Sequence, residues 1–339
     1  MIRFGVAGCG HIASKHIAAI ALLDDAVLHA VCDTDEERMK KAVGPLLDVQ
    51  MYSSYNELLH DEEIDAVIIC TPSGLHSQMA IAAAKARKHI VVEKPIALTL
   101  EDADAIIKAC HDYRVKLSVV HPNRYRPAML ELKRMWDEGR FGRISHVSAL
   151  VRWNRDDRYF GSADWRGTKA MDGGVLMNQG IHAMDLIAWL LGDATEVQAM
   201  SARRFRQIET EDVAIASLRF KDGALGSVEV SSTVYPTSLE EQIAIFGEYG
   251  TVVIGGGPTA HHIVEWKFES MTDEESLQLK ERINAEPYGE SGHLSIIRDM
   301  VKAIKQDERP SIQGEDGRAA LKLVLDIYAA AEHEQRQLI

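Results

Sequence analysis

One short stretch limits the fold more than any other: Ile2-Arg3-Phe4-Gly5-Val6-Ala7-Gly8-Cys9-Gly10-His11-Ile12-Ala13. It reads as a short buried strand, a glycine turn and the start of a helix running to Leu23. The spacing Gly8-x-Gly10-x-x-Ala13 is the dinucleotide-binding fingerprint, with alanine in the last place. Gly8 makes the tight turn, Gly10 leaves room for the backbone to approach a pyrophosphate, and Ala13 lets the helix pack closely on the strand. The helix start, with the N–H groups of His11 and Ile12, directs donors and the positive end of the helix dipole at the phosphates. Asp33 closes the next strand, Ala26 to Cys32, where it can accept hydrogen bonds from ribose hydroxyls. The alternatives are that Asp33 caps the following helix, or that the unit binds nothing.

Strand and helix then alternate up to about residue 120. Asp35 to Val43 is helical, Gln50 to Tyr52 a short strand, and Ser54 to Leu59 a short helix. Asp65-Ala-Val-Ile-Ile-Cys70 is a continuous apolar run, as in a parallel sheet covered on both faces. A helix over Leu75–Arg87, a strand over His89–Val92, a helix capped by Thr99 and a strand over Lys116–Val120 complete the set. Strands joined by crossover helices give a doubly wound parallel sheet. Residues 1–121 are therefore an α/β cofactor-binding domain.

The rhythm changes after His121-Pro122. Pro127 to Glu138 is an amphipathic helix and Ile144 to Trp153 alternates like a strand. Asn154 to Gly173 is irregular, and Gly174 to Leu191 is a helix. Several strands follow between Thr195 and Ile254, two of them flanking the turn Lys221-Asp222-Gly223. Helices over Leu294–Lys305 and Gly317–Glu334 end the chain. Residues 122–339 are therefore an α+β domain with a mostly antiparallel sheet. Without a low-complexity linker, the junction is tight, and a cleft between the domains is where a cofactor and a substrate would meet. His261-His262 and Gly255-Gly256-Gly257 read as loop features without a role.

The 339 residues suit two domains, and the formal net charge of −13 argues against a nucleic-acid groove. No apolar run reaches the ~18 residues of a membrane span. The four cysteines form no C-x-x-C pair and no metal-ligand spacing, so they read as small buried hydrophobes of a reduced, cytoplasmic protein with no metal.

The chemistry gathers at strand ends. Thr34-Asp35-Glu36 follows Asp33 with no cation before Arg38, so a 2′-phosphate would be repelled and NAD is expected over NADP. Thr71-Pro72-Ser73-Gly74-Leu75-His76 follows the fourth strand, where Thr71, Pro72 and His76 would flank the cofactor. Glu93-Lys94-Pro95 follows the fifth, where Glu93 and Lys94 would also contact the cofactor, and its proline can fix a tight, even cis, turn that aims Lys94. It reads equally as a structural Glu–Lys pair. On the helix after Gly173-Gly174, Asn178, His182 and Asp185 share one face, with Gln179 beside them. A histidine there is also a common core residue.

These motifs, with Arg124 after the sixth strand, resemble the glucose–fructose oxidoreductase / inositol dehydrogenase (Gfo/Idh/MocA) family across nearly the whole chain. The resemblance implies a Rossmann domain and a second domain with a large open sheet, through which members usually form homo-oligomers, dimers or tetramers. It implies NAD-linked oxidation or reduction of a sugar or cyclitol, with Lys94 and His182 catalytic. Two positions depart from the pattern: Asn178 stands where many members carry aspartate, and Pro122 where many carry a polar residue near the nicotinamide, a role left to Asn123. The segment Arg152-Trp153-Asn154-Arg155…Tyr159-Phe160…Trp165-Arg166…Asn178-Gln179 resembles the branch that oxidises a UDP-linked N-acetylglucosaminuronic acid at the ring 3-position. Arginines offer forks for a carboxylate or diphosphate, and tryptophans offer faces for a sugar or uracil. Lys94, Arg124, Arg152, Arg155, Trp165, Arg166, Asn178, Gln179 and His182 are thus the expected substrate contacts. Inositol or a free monosaccharide is the alternative substrate. A redox-neutral NAD-dependent glycosidase and a non-catalytic NAD sensor are the alternative functions, and an oligomer interface is the alternative role of the arginine–tryptophan loop.

Overall fold

The computed structural model describes residues 1–44, 46 and 48–337. The chain divides into two compact units: Met1–Pro122 with Ser291–Arg318, and Asn123–Glu290 with the residues from Ala319 on. The division thus differs from a single cut at 121/122, because a late segment returns to the first unit.

In the first unit, β1 (Ile2–Ala7), α1 (Ala13–Ala21), β2 (Ala26–Cys32), α2 (Glu36–Val43), β3 (Gln50–Tyr52), α3 (Tyr55–His60), β4 (Ala66–Ile69), α4 (His76–Lys85), β5 (His89–Val92), α5 (Leu100–Tyr113) and β6 (Leu117–Val119) follow one another. The six strands lie parallel in the order β3-β2-β1-β4-β5-β6. This is the doubly wound arrangement, and its strand order reverses between β1 and β4, where such sheets bind ligands. All four residues of β4 are buried, as its unbroken apolar run requires. Thr99 caps α5 by accepting from Asp102 N, with Glu101 and Asp102 in the first turn.

The second unit contains α6 (Pro127–Asp137), β7 (Ile144–Arg152), α7 (Asp157–Phe160), α8 (Ile181–Leu191), β8 (Ala194–Ala202), β9 (Val213–Phe220), β10 (Leu225–Ser231), β11 (Glu240–Gly247), β12 (Gly250–Gly255), β13 (His262–Phe268) and α9 (Asp273–Ala285). Its sheet runs β13-β12-β11-β7-β10-β9-β8 and is antiparallel except for the parallel pair β7–β10. Alternation sets its faces: Ala214, Ala216, Leu218 and Phe220 of β9 are buried, while Ile215 between them is exposed.

β13 begins at one of the residues read as loop features, and α9 lies in a stretch read without elements. His262 opens a strand, and Thr272-x-x-Glu275 is a capping box that starts α9. The return to the first unit is built by α10 (Gly292–Gln306), whose apolar stripe packs on α1. A Cβ at Gly292 would lie 2.4 Å from the Pro122 carbonyl oxygen. The last helix, α11 (Gly314–Gln337), starts in the first unit and continues in the second. No described helix is long and apolar enough to cross a membrane.

Candidate active site

The site residues fall into two sets, one in each unit. In the first, Gly8 has φ +91°, and a Cβ there would sit 2.8 Å from the carbonyl carbon and oxygen of Cys70, so only glycine fits. A Cβ at Gly10 would meet nothing within 4 Å, which is the room a pyrophosphate needs. Ile12 precedes α1 as its N-cap residue without a side-chain cap, and the first turn holds no acid, leaving His11 and Ile12 at a helix start suited to an anion. Asp33 accepts from Cys9 N at 2.7 Å and from Asp35 N at 3.0 Å, which orients its carboxylate. Each oxygen keeps capacity for a ribose hydroxyl. The helix-cap alternative for Asp33 falls away, because Asp35 caps α2 through Glu37 N and Arg38 N. Burial pushes the thiols of Cys9 and Cys32 up to about 12 and about 11, so both stay neutral beside Asp33. The residues present therefore fit a dinucleotide.

Thr71 and Pro72 follow β4, and the Thr71 backbone nitrogen lies against Gly8. His76 departs from the expected cofactor contact. It is buried, its Nδ1 lies 2.7 Å from Pro95 O and its Nε2 3.0 Å from Thr71 O. It ties the loop after β4 to the turn after β5, and burial lowers its pKa.

Glu93 departs as well. Its Oε1 lies 2.8 Å from His16 Nε2 and 3.8 Å from His293 Nε2, all three residues being buried. Ligand-capable atoms of the three lie within 4.8 Å of one another, the 2.8 Å contact being of hydrogen-bond length. Burial alone would raise the carboxyl, but the hydrogen bond and charge of His16, with His293 and Lys94, hold it at about 2. Burial lowers His293 to about 4. Glu93 thus anchors the turn from below, while Lys94, half-buried, leads into a cis bond to Pro95.

In the second unit, Arg124 and Asp185 form a buried two-pronged pair, with Arg124 Nη2 2.7 Å from Asp185 Oδ1 and Nε 3.0 Å from Oδ2. The guanidinium also lies over the Trp189 ring at 4.9 Å. Arg124 is therefore an internal strut for α8 rather than the expected substrate contact. It fixes the face of the helix on which His182 stands, one turn before Asp185. Asn123 is buried and donates to Glu241 Oε1, whose other oxygen accepts from Arg126 and Ala260 N. Its amide thus serves the second unit's own frame, unlike the cofactor contact expected.

Arg152 is a third correction. It bridges Glu229 of β10 and Glu240 of β11 at 2.6 Å each, across three neighbouring strands. Two carboxylates raise its pKa and take up its charge. Arg155 and Arg166 differ: among the described residues neither has a carboxylate partner. Arg155 lies over the rings of Trp153 and Tyr159, at 4.7 and 5.0 Å. Arg166 lies over Tyr159 and Trp165, at 4.4 and 4.6 Å. Arg155 Nε is buried without a hydrogen-bond partner among the described residues. The Tyr159 hydroxyl accepts from Arg166 Nη1 at 2.7 Å and from Gln179 Nε2 at 3.2 Å. This aromatic–arginine stack is thereby joined to the helical segment that carries His182. Burial raises the Tyr159 pKa against the pull of the two arginines.

That segment is helical from Val175 and passes through a π-helical turn, Leu176–Gly180, into α8. Such wide turns recur at functional sites. Asn178 donates to Asp172, whose Oδ2 also accepts from Gly167 N at 2.7 Å. The carboxylate absent from position 178 is thus supplied from six residues earlier. Sequence reasoning missed three residues here: Asp172 as Asn178's partner, and Glu211 and Tyr328 behind the π turn. Gly173-Gly174 was the single trace of the last two, since a Cβ at Gly174 would lie 1.8 Å from Glu211 Oε2.

Comparison with known proteins agrees with both halves. Residues 2–121 match the family model described as an oxidoreductase family with NAD-binding Rossmann fold, and residues 129–253 match the GFO/IDH/MocA C-terminal domain. The chain is 38% identical to the WlbA dehydrogenase of Bordetella pertussis, solved with NADH and UDP-GlcNAcA, with a TM-score of 0.90 over 98% of this chain and 95% of that one. It is 36% identical to the WlbA dehydrogenase of Chromobacterium violaceum, solved with the same ligands, with a TM-score of 0.91 over 98% and 94% of the two chains. It is 30% identical to the myo-inositol 2-dehydrogenase of Thermotoga maritima over 95% of this chain and 94% of that protein.

Proposed function

The chain belongs to the Gfo/Idh/MocA oxidoreductases, as an NAD-dependent sugar dehydrogenase, and from that premise we propose that it oxidises the ring 3-hydroxyl of UDP-N-acetylglucosaminuronic acid to a ketone. The observation that carries this reading is the pair Arg155 and Arg166. Both are stacked on aromatic rings and neither has a carboxylate of its own among the described residues. Two such forks suit a substrate that brings a carboxylate and a diphosphate, and the Trp153 and Trp165 rings suit a sugar or uracil face. Free inositol has no anionic group to pair with either arginine. The likeness to two dehydrogenases solved with UDP-GlcNAcA supports the same substrate.

In this mechanism His182 takes the proton of the reacting hydroxyl as general base, a role an imidazole nitrogen can fill. Lys94 hydrogen-bonds the same oxygen and stabilises its developing negative charge. Asn178, held by Asp172, orients the substrate by donating or accepting without adding charge. Gly8, Gly10, His11, Ile12 and Asp33 would hold NAD, which would supply the hydride acceptor for this oxidation. Met200, Ile215 and Leu225, exposed on the sheet, support assembly of two or more copies through it, a state that sedimentation would read.

Calorimetry on the NADH-loaded protein tests the substrate. UDP-N-acetylglucosaminuronate should bind, UDP more weakly, and myo-inositol not at all. Binding of myo-inositol with neither UDP compound would replace this reading by a cyclitol dehydrogenase.

A further inference from the structure

A helix leaves its first N–H groups without partners inside the helix. In the segment carrying Asn178, Gln179 and His182, residues distant in the chain meet those donors. Val175 N donates to the backbone oxygen of Glu211 at 3.3 Å. Leu176 N donates to Glu211 Oε1 at 2.9 Å, and Met177 N donates to the Tyr328 hydroxyl oxygen at 3.2 Å. The Tyr328 hydroxyl donates to Glu211 Oε1 at 2.8 Å and so closes the set. The other oxygen, Oε2, fills the place a side chain at position 174 would take. The first of these N–H groups precedes the wide turn Leu176–Gly180, and the other two open it. A π turn inserts a residue and rotates everything after it, so where the helix is pinned decides which way the later side chains face.

We propose that Glu211 and Tyr328 are positioning residues, which hold the first three N–H groups of this segment and so set the direction of Asn178, Gln179 and His182. The proposal rests on the reading of His182 as general base, but its geometry does not depend on the substrate. Neither residue is catalytic, since neither is argued to touch substrate or cofactor.

The clamp also responds to pH. Burial pushes the Glu211 carboxyl up to about 7, the nearby charge of Asp212 adds to this, and the bonds from Leu176 N and Tyr328 pull it back. The groups facing it are the N–H donors of the helix start, the Tyr328 phenol from α11, itself raised by burial, and Asp212 beside it in the chain. Asp212 spends its carboxylate on the backbone N–H groups of Arg204, Phe205 and Arg206. No cation is among them. Oε1 already accepts two bonds, so the proton resides on Oε2, beside Gly174.

Three variants test this: Glu211→Ala, Glu211→Gln and Tyr328→Phe. Three readouts are taken: amide exchange over residues 174–182, NADH affinity, and kcat and KM for UDP-N-acetylglucosaminuronate against pH. Glu211→Ala should speed exchange at Leu176 and Met177 by ~10-fold or more. It should lower kcat/KM by ~30-fold, with NADH affinity within about twofold of wild type. Tyr328→Phe should move both in the same direction by ~5-fold and remains informative if Glu211→Ala does not fold. Glu211→Gln keeps an acceptor for Leu176 N. It should restore protection and most of kcat/KM, and remove a wild-type change in protection at Leu176 and Met177 near pH 7, a readout to which proton transfer at His182 does not contribute. Unchanged exchange at Leu176 and Met177 in both Glu211→Ala and Tyr328→Phe would overturn the proposal. So would full kcat/KM in a folded Glu211→Ala. If wild type does not turn over this nucleotide sugar, the substrate reading fails, and exchange alone still decides whether the clamp exists.

Discussion

Glu93 is buried and Glu211 half-buried, each behind an element that carries an expected reacting side chain, yet they are driven in opposite directions. Glu93 precedes Lys94 in the first unit and is held at about 2. Glu211 caps the helix that leads to His182 in the second and is pushed to about 7. Burial raises both. The difference lies in the partners: Glu93 is hydrogen-bonded to His16 with His293 and Lys94 close by, whereas among the described residues Glu211 faces neutral donors and the like charge of Asp212. The depth of a carboxylate therefore does not decide its protonation; the charge of its neighbours does. The first unit builds a fixed anion beneath Lys94, and the second a carboxyl that changes state near neutral pH.

The largest effect tests whether both units hold a reacting group at all. Lys94→Ala and His182→Ala should each lower turnover by ~10²–10⁴-fold, checked by steady-state NADH production. Near-normal turnover in either would remove the functional contrast between the units. Next come the two glycines of the first unit. Gly8→Ala meets both a backbone clash and a positive φ, and should cost ~100-fold or more in NADH affinity together with stability. Gly10→Ala meets no protein atom, so it should lower NADH affinity by ~10-fold while leaving the melting temperature within about 2 °C.

The two glutamates then test the comparison itself. A carboxyl lowered from 4.5 to about 2 stabilises the fold at neutral pH, and this contribution is lost as pH falls from about 4.5 through about 2. Glu93→Gln should therefore cost about 3 kcal/mol at pH 7.5, with the gap to wild type closing at low pH. A carboxyl raised from 4.5 to about 7 works the other way: its contribution is present below about 4.5 and lost as pH rises through about 7. Glu211→Gln should then be at least as stable as wild type at pH 8. Urea titrations across pH read both, and the same sign for the two variants would break the contrast. The smallest effect concerns Asp33: NADPH should bind roughly tenfold more weakly than NADH, a difference on the order of 1.4 kcal/mol.

The first unit was largely legible because its constraints are local. A glycine turn is demanded by the backbone within six residues, and apolar runs mark buried parallel strands wherever they occur. The second unit was less so. β13 was missed because its run follows two histidines and a glycine cluster, and α9 because its capping box lay in a stretch read without elements. Four arginines looked alike in sequence. Arg124 and Arg152 turned out to be spent on Asp185 and on Glu229 with Glu240, while Arg155 and Arg166 stack on aromatic rings. Pairing in space chose between them, and it joins residues 61, 77 and 88 positions apart.

By itself the sequence determined the nucleotide-binding turn, the doubly wound sheet and the change of architecture after residue 121. These follow from short-range rules: backbone freedom at glycine, the period of apolar residues, and charge placed at strand ends. Tertiary structure alone decided which charges are spent and which remain. It turned Glu93 inward to His16, tied His76 to two carbonyls and gave Asn178 the carboxylate of Asp172. It also set Glu211 and Tyr328 behind a helix start they adjoin only in the fold. A buried polar group must find its partner in space, and the order of residues along the chain does not record where that partner lies.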